Sequence, residues 1–221
     1  FTNWTGENVG DFTPDKLEEM VNRKIRQEKI AIKDVKLRTF ITEDANRNEM
    51  VQHVYDITYG TVRNNEDTLV VIDDSIVRGT TLKESIIRML SRLSPKKIIV
   101  VSSAPQIRYP DCYGIDMSKL GDFIAFRAAI ALLKERNMEH ILDQVRDQII
   151  ALEEAGNLHT ENVVRQIYKP FTTLEISDKI AQLITPEGVH VPVEVIYQTI
   201  EDLHECCPTN TGDWYFTGNY P

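Results

Sequence analysis

The sequence predicts an α/β protein built on a parallel sheet, and three stretches support this fold class. Residues 69–72 are four consecutive aliphatic residues, mostly β-branched, which indicates a central strand buried on both faces. A helix with one apolar stripe follows, and residues 98–101 repeat the aliphatic run. The stripe consists of Leu82, Ile86, Ile87, Leu90 and Leu93. The strand–helix–strand order predicts a right-handed crossover, the unit of a doubly wound sheet.

Length, charge and cysteine content limit the class of protein. The 221 residues suffice for one sizeable core, with or without an added helical lobe. A net charge of −9 without a long basic run argues against nucleic-acid binding. No run approaches the roughly 18 apolar residues of a membrane helix, so no membrane partner is expected. The three cysteines, Cys112, Cys206 and Cys207, are odd in number and include an adjacent pair, so they make a poor disulfide framework. This predicts that the protein is located in a reducing cytoplasm.

The elements before the central strand follow from caps and periodicity. After a polar lead-in over residues 1–12, Thr13 and Pro14 start a helix predicted to reach residue 29. Alternating residues 35–41 predict a strand. Apolar residues from Met50 to Tyr55 allow a helix, and turns are expected at Tyr59-Gly60 and Asn64-Asn65.

The second half of the chain is predicted to be mostly helical. Helices are predicted over residues 123–133 and 138–152, with a break near Asn137 and an end at Gly156. A short helix precedes Pro170, another covers 176–184, and a last one covers 193–203. The sequence therefore predicts a helical lobe and an aromatic tail, whose three consecutive aromatic residues need burial against the body of the protein or a partner.

Two acids and a glycine-containing turn follow the central strand. Open α/β sheets bind ligands at the carboxyl ends of their strands, where Asp73 and Asp74 lie. Residues 75–81 offer backbone N–H groups, two threonine hydroxyls and a helix N-terminus, which suit a phosphate monoester. Carboxylates that can bind a diol, next to donors that can bind a phosphate, indicate a site for a phosphorylated sugar. Alternatively, the acids only cap the turn and the hydroxyls only cap the helix.

Residues 71–81 closely resemble the phosphoribosyl pyrophosphate (PRPP) motif of type I phosphoribosyltransferases. The sequence Asp-Asp-Ser-Ile-Val-Arg-Gly-Thr-Thr at 73–81 resembles that of the amidophosphoribosyltransferases, which catalyse the first committed step of purine synthesis. Residues 38–41, 103–110, 113–116 and 216–221 are similar to further stretches of that family. Arg108 and Tyr109, in one of these stretches, either contact ligand or close the loop.

The resemblance implies a set of ligand-binding residues. Asp73 and Asp74 would hold the ribose hydroxyls and Mg²⁺, and no residue is assigned as an acid–base catalyst. The 5′-phosphate would be held by Ser75, Ile76, Val77, Arg78, Gly79, Thr80 and Thr81.

The resemblance also implies the organisation of the chain. It predicts a lead-in and helix over 1–34, a phosphoribosyltransferase core over 35–122, incomplete at its N-terminus, and a C-terminal helical lobe with the tail over 123–221. The expected reaction is displacement at C1 of PRPP by ammonia from glutamine. No nucleophilic N-terminal Cys and no pyrophosphate-binding loop is found, so a C-terminal fragment is expected. A glutaminase half upstream and a homo-oligomer are the expected partners.

Two features depart from the resembled family. Its mobile loop is typically basic, whereas residues 42–67 carry surplus acid, which does not attract a pyrophosphate. Some members hold an iron–sulfur cluster through cysteines just before the terminal signature. Residues 211–215 read Thr-Gly-Asp-Trp-Tyr here, so no cluster is predicted. The alternatives are a salvage phosphoribosyltransferase and a divergent, non-catalytic PRPP-binding protein.

Overall fold

The computed structural model describes residues 14, 22, 26–33, 55–58, 60–111, 113, 117–209 and 212–220. Two short strands, β1 (Ala31–Lys33) and β2 (Tyr55–Ile57), pair antiparallel. Three further strands, β3 (Thr68–Asp73), β4 (Lys97–Ser102) and β5 (Val193–Tyr197), form a parallel sheet in the order β3–β4–β5. With helices against it, this sheet confirms the predicted α/β class.

The helices of the described residues follow in chain order. Helix α1 starts as a π-helical segment, Leu82–Ile87, and continues as the α-helical segment Arg88–Ser91. A short 3₁₀ turn, Leu120–Asp122, precedes α2. The remaining helices are α2 (Ile124–Glu135), α3 (His140–Glu154), α4 (Arg165–Tyr168), α5 (Thr173–Ile184), α6 (Ile200–Cys206) and α7 (Trp214–Thr217).

The core lies between one face of the parallel sheet and the helices. In register across the three strands, Val71 pairs with Val100 and Val100 with Val195, so their side chains share that face. Helix α5 packs against both α2 and β5. Its residues Ile176 and Ile180 are fully buried because a four-residue spacing keeps them on one side of the helix. Burial of each such side chain stabilises the fold by roughly 1.5–3 kcal/mol.

Strand β3 differs from its prediction. It is an edge strand of the sheet formed by the described residues, and Val70 and Ile72 are 60% and 72% exposed. Leu69, on the other face, is buried. The prediction of burial on both faces was therefore wrong: an aliphatic run shows that both faces are apolar and does not show that both are covered.

Residues 193–197 correct the prediction of a last helix over 193–203. They form strand β5, and only the later part is helical, because Thr199 caps α6 by accepting a hydrogen bond from the Asp202 N–H at 3.1 Å. The apolar residues of 193–197 suit the spacing of a helix and the alternation of a strand equally. Residues 123–221 are thus more than a helical lobe, since they supply one strand of the sheet.

The predicted breaks and turns are largely confirmed. Asn137, with φ +54°, separates α2 from α3, and Gly156 follows the end of α3. Turns occur at Gly60 and at residues 64–65. The helix predicted to reach residue 29 was wrong at its end, because residues 26–30 are not helical. Tyr55 lies in β2 and not in a helix. The predicted strand 35–41 lies outside the described residues, as does most of the family-like stretch 113–116.

The aromatic tail docks on the loop after β4. The Tyr215 carbonyl accepts hydrogen bonds from the N–H groups of Arg108 and Tyr109, at 2.8 and 3.1 Å. Gly218, with φ +72°, packs so closely that a Cβ would lie 2.9 Å from the Tyr109 ring. The Tyr220 hydroxyl donates to the Pro110 carbonyl at 2.8 Å. These contacts bury part of the tail within the chain, while a contact with another domain or subunit stays a prediction.

Candidate functional site

The candidate site lies at the carboxyl edge of the parallel sheet. Asp73, the last residue of β3, pairs with Ser102 of β4, and its carbonyl accepts the Ser103 N–H at 2.9 Å. A cleft of about 760 Å³ opens there, beside the loop formed by residues 75–81, called the phosphate loop below. The cleft is lined by Asp73, Ser75, Ile76, Val77, Arg78, Gly79, Thr80, Thr81, Leu82, Glu84, Gly121, Asp122 and Arg127.

The two predicted acids occupy different positions. Asp73 is half-buried and lines the cleft, whereas Asp74 is exposed and lies outside the lining. One oxygen of each caps the turn: Asp73 Oδ1 accepts the Asp74 N–H at 3.1 Å, and Asp74 Oδ1 accepts the Ser75 N–H at 2.6 Å. Among the described residues, neither Oδ2 atom has a hydrogen-bond partner, so both carboxylates keep an oxygen for a ligand.

The environment of Asp73 disfavours its charged form. Burial has the largest effect and raises the pKa of this carboxyl. The Asp74 N–H opposes the rise, and the Asp74 charge adds to it. A cation or a hydroxyl donor in the cleft would replace the lost hydration and favour the ionised carboxylate.

The phosphate loop is anchored in the core at two points. Ile76 is buried, and Gly79 has φ +72° and touches two core side chains. A Cβ on Gly79 would lie 2.9 Å from Ile184 Cγ2 and 3.4 Å from Ile124 Cγ1. Only glycine meets both requirements without strain, because it lacks a Cβ and tolerates positive φ.

Helix α2 fixes two carbonyls of the phosphate loop. The Val77 carbonyl accepts the Ile124 N–H at 2.8 Å, and the Arg78 carbonyl accepts a hydrogen bond from Arg127 Nη2 at 2.7 Å. In a trans peptide the carbonyl and the following N–H point in opposite directions. The Arg78 and Gly79 N–H groups therefore point away from these α2 donors. In the part of the chain that the structure describes, the N–H groups of residues 76–79 meet no acceptor.

The threonine hydroxyls do not cap the helix. Thr81, at the helix start, makes no side-chain cap hydrogen bond. Within the described ranges, the Thr80 hydroxyl also has no partner. The alternative interpretation was that the acids cap the turn and the hydroxyls cap the helix. The structure shows capping by the acids and does not show capping by the hydroxyls. The residues that line the cleft thus carry N–H groups and hydroxyls that no described residue pairs, together with a carboxylate, and such a set can bind a phosphate beside a diol.

Sequence reasoning missed Asp122 and Arg127, which reach the cleft from the start of α2. The Arg78 guanidinium forms an ion pair with Asp122 at 3.7 Å, with both side chains about half exposed. No sequence signal marks these two residues, because they lie more than 40 positions from the motif, Asp122 in the 3₁₀ turn before α2 and Arg127 at an exposed position of that helix. Only the packing of α2 against the loop brings them together.

Arg108 and Tyr109 lie outside the cleft lining. Arg108 Nη2 donates to Gln106 Oε1 at 2.7 Å and to Thr173 Oγ1 at 3.2 Å, and its guanidinium lies 5.3 Å from the centre of the Tyr168 ring. These contacts join the loop after β4 to α4 and α5. Of the two interpretations, the geometry favours closing the loop over contacting a ligand.

No group of three or more His, Cys, Asp or Glu side chains among the described residues is arranged to hold a metal ion. Of the helices that the structure describes, none has the length and apolar character needed to cross a membrane.

Curated proteins with similar sequences include amidophosphoribosyltransferases, although no family model matches the chain. The Pasteurella multocida enzyme is 48% identical over 61 residues, covering 28% of this chain and 12% of that protein. The Saccharomyces cerevisiae enzyme is 29% identical over 156 residues, covering 69% of this chain and 20% of that protein. Among solved structures, the Bacillus subtilis glutamine PRPP amidotransferase complexed with ADP and GMP aligns with a TM-score of 0.47 and 24% identity. That alignment covers 87% of this chain and 32% of the other.

The sequence matches confirm the predicted resemblance to phosphoribosyltransferases. In particular, this chain is similar in sequence to a part of the amidophosphoribosyltransferases. Its matches span only 12% to 20% of the length of these relatives.

Proposed function

We propose that this chain carries the ribose-phosphate side of an amidophosphoribosyltransferase site. The intact reaction would form 5-phosphoribosylamine from PRPP and glutamine-derived ammonia. One observation carries the proposal: Asp73 and the phosphate loop, whose N–H groups at residues 76–79 meet no acceptor among the described residues, line one cleft at the carboxyl edge of the sheet. The relationship to named amidophosphoribosyltransferases supports this reaction over other chemistry on phosphorylated sugars.

The phosphate loop would bind the 5′-phosphate. The Arg78 and Gly79 N–H groups and the hydroxyls of Thr80 and Thr81 supply donors that the described residues leave unpaired, and the start of α1 adds its partial positive charge. Hydrogen bonds to a charged oxygen are stronger than those between neutral groups. Binding energy gained at the phosphate, away from the reacting carbon, would orient C1 for attack.

Asp73 and Asp74 would bind the ribose side of the substrate. The Asp73 carboxylate would accept hydrogen bonds from the ribose hydroxyls, and its negative charge would stabilise the positive charge that develops near C1. Both acids offer an oxygen that no described residue pairs, and carboxylate oxygens suit Mg²⁺, so these residues fit that ion. A bound Mg²⁺ would supply charge neutralisation for the pyrophosphate leaving group.

The wider setting of this site is also proposed. Ammonia would come from a glutaminase half, as the resemblance implies. A reducing, cytoplasmic compartment is supported by Cys206 and Cys207, which are free and exposed. A homo-oligomer is proposed on the resemblance alone.

Calorimetric titration with ribose 5-phosphate and with PRPP·Mg²⁺ tests the proposal. We expect the chain to bind both, and we expect the double variant Asp73→Asn, Asp74→Asn to bind PRPP·Mg²⁺ at least about tenfold more weakly, since charge-assisted contacts are lost. The matched control is Asp143→Asn, Asp147→Asn, which removes two exposed carboxylates from α3. Absence of binding to the unmodified chain, or equal losses in both double variants, would refute the proposed site.

A further inference from the structure

We infer that Arg127 of α2 is a positioning residue for the phosphate loop, a role that rests on the proposed function. Arg127 lies outside the motif that defines the loop, and it lines the same cleft. Its guanidinium holds the Arg78 carbonyl and thereby sets the direction of the Gly79 N–H.

The hydrogen bond from Arg127 to the Arg78 carbonyl is the central contact. The Nη2–O distance is 2.7 Å, at the short end for a charged donor. One turn earlier on the same helix, the Ile124 N–H holds the Val77 carbonyl at 2.8 Å. Two consecutive carbonyls are therefore turned toward α2, one by a backbone donor and one by the Arg127 side chain.

The direction of the Arg78–Gly79 peptide decides what the cleft presents to a phosphate. With the Arg78 carbonyl on Arg127, the Gly79 N–H points the opposite way because the peptide is trans. Glycine accepts positive and negative φ about equally, so its observed φ of +72° does not by itself prevent rotation of this peptide. A rotated peptide would exchange the N–H for a carbonyl oxygen, which repels a phosphate.

Other contacts of Arg78 hold this peptide less directly. The ion pair between Arg78 and Asp122 is long, at 3.7 Å, and joins two side chains that are 52% and 46% exposed. Such pairs contribute little, and this one acts on the side chain and not on the carbonyl. Arg127 therefore supplies the side-chain contact that fixes the peptide itself.

Three substitutions of Arg127 separate its hydrogen bond from its charge. Arg127→Met removes both, Arg127→Gln keeps an N–H donor without charge, and Arg127→Lys keeps the charge with a single-point donor. The matched control is Arg146→Met, which removes an exposed arginine from α3. Ribose 5-phosphate is the probe, with binding followed by calorimetry and the Gly79 amide followed by NMR.

We expect Arg127→Met to weaken ribose 5-phosphate binding by about tenfold, the effect of losing one charge-assisted hydrogen bond. The Gly79 amide resonance, which should shift on titration of the unmodified chain, should shift much less in this variant at the same ligand concentration. Arg127→Gln and Arg127→Lys should each restore part of the affinity and of the Gly79 shift. Arg146→Met should behave like the unmodified chain.

Three outcomes would overturn the inference. Normal binding and a normal Gly79 shift in Arg127→Met would show that the loop holds its shape without Arg127, while the proposed function would stand. Full recovery with Arg127→Lys and none with Arg127→Gln would show a role of charge alone. Failure of the unmodified chain to bind ribose 5-phosphate would overturn the proposed function and this inference together.

Discussion

Gly79 shows at the scale of one residue how the motif depends on the fold around it. Its φ of +72° favours glycine, and its contact with Ile184 and Ile124 leaves no room for a side chain. The first requirement comes from the turn and the second from helices 45 or more positions further along the chain. A local sequence pattern therefore predicts the turn but not the packing that fixes it.

Substitution of Gly79 by alanine tests both requirements. We expect Gly79→Ala to abolish detectable ribose 5-phosphate binding and to lower the free energy of unfolding by about 2–5 kcal/mol, since a backbone cost of about 1–2 kcal/mol adds to overpacking of about 1–3 kcal/mol. Gly60→Ala is the control, because Gly60 also has positive φ, and no atom of the described residues lies within 4 Å of a built Cβ there. Urea unfolding should show only the backbone cost there, and equal losses in the two variants would contradict the packing argument.

The site residues differ in how far they were predictable. Asp73 and the phosphate loop are adjacent in sequence, so a strand, a turn and a helix start suffice to place them together. Arg127 comes from α2, and its contact with the Arg78 carbonyl depends on how that helix crosses the loop. Such a contact between distant segments leaves no trace in residue spacing.

At the scale of the elements, helix α5 covers the sheet and has a well-defined start. Thr172 and Glu175 form a capping box: the Thr172 hydroxyl accepts the Glu175 N–H at 3.2 Å, and the Glu175 carboxylate accepts the Thr172 N–H at 2.7 Å. The hydrogen bond from Arg136 is the largest effect on Glu175 and lowers its pKa to about 2, with the Thr172 contacts adding to it. The charged form of this carboxyl thus stabilises the start of α5.

This lowered pKa predicts a pH dependence of stability. Because the folded pKa lies below the ordinary value of 4.5, the contribution of Glu175 is present above about pH 4.5 and is lost as pH falls toward 2. Glu175→Gln should therefore lower the free energy of unfolding at pH 7, and the difference from the unmodified chain should shrink through that window. Denaturant unfolding at several pH values measures it, with Glu154→Gln at the exposed end of α3 as the control. A difference that stays constant with pH would contradict this account.

Strand β5 marks where element prediction failed. Residues 193–197 place apolar side chains at spacings that fit either a helix or a strand, so periodicity could not separate the two. Pairing with β4 decides between them, because the strand completes the sheet and buries Val195 against α5. The long helices α2 and α3 were predicted well because each repeats its apolar spacing over three turns or more.

At the scale of the whole molecule, the sheet has two apolar faces, and the described residues cover one of them. Val71, Val100 and Val195 face the helices, whereas Val70, Ile72 and Ile196 are 60%, 72% and 44% exposed. The sequence could not distinguish the faces, because aliphatic residues occupy both. Burial, and not residue type, should therefore decide which substitutions are costly.

A matched pair of substitutions tests this difference between the faces. Val100→Thr places a hydroxyl in the fully buried face and should lower the free energy of unfolding by about 1–3 kcal/mol. Val70→Thr makes the same change on the exposed face and should cost less than about 0.5 kcal/mol. Thermal and denaturant unfolding of the two variants measure the contrast. A loss at Val70 as large as that at Val100 would show that the exposed face is covered in solution.

A crystal structure of the chain grown with ribose 5-phosphate tests the central claim most directly. We predict the phosphate within hydrogen-bonding distance of the Arg78 and Gly79 N–H groups and the ribose hydroxyls beside Asp73. Arg127 should remain on the Arg78 carbonyl. A phosphate bound elsewhere, or an empty phosphate loop at a saturating concentration of ribose 5-phosphate, would contradict the account.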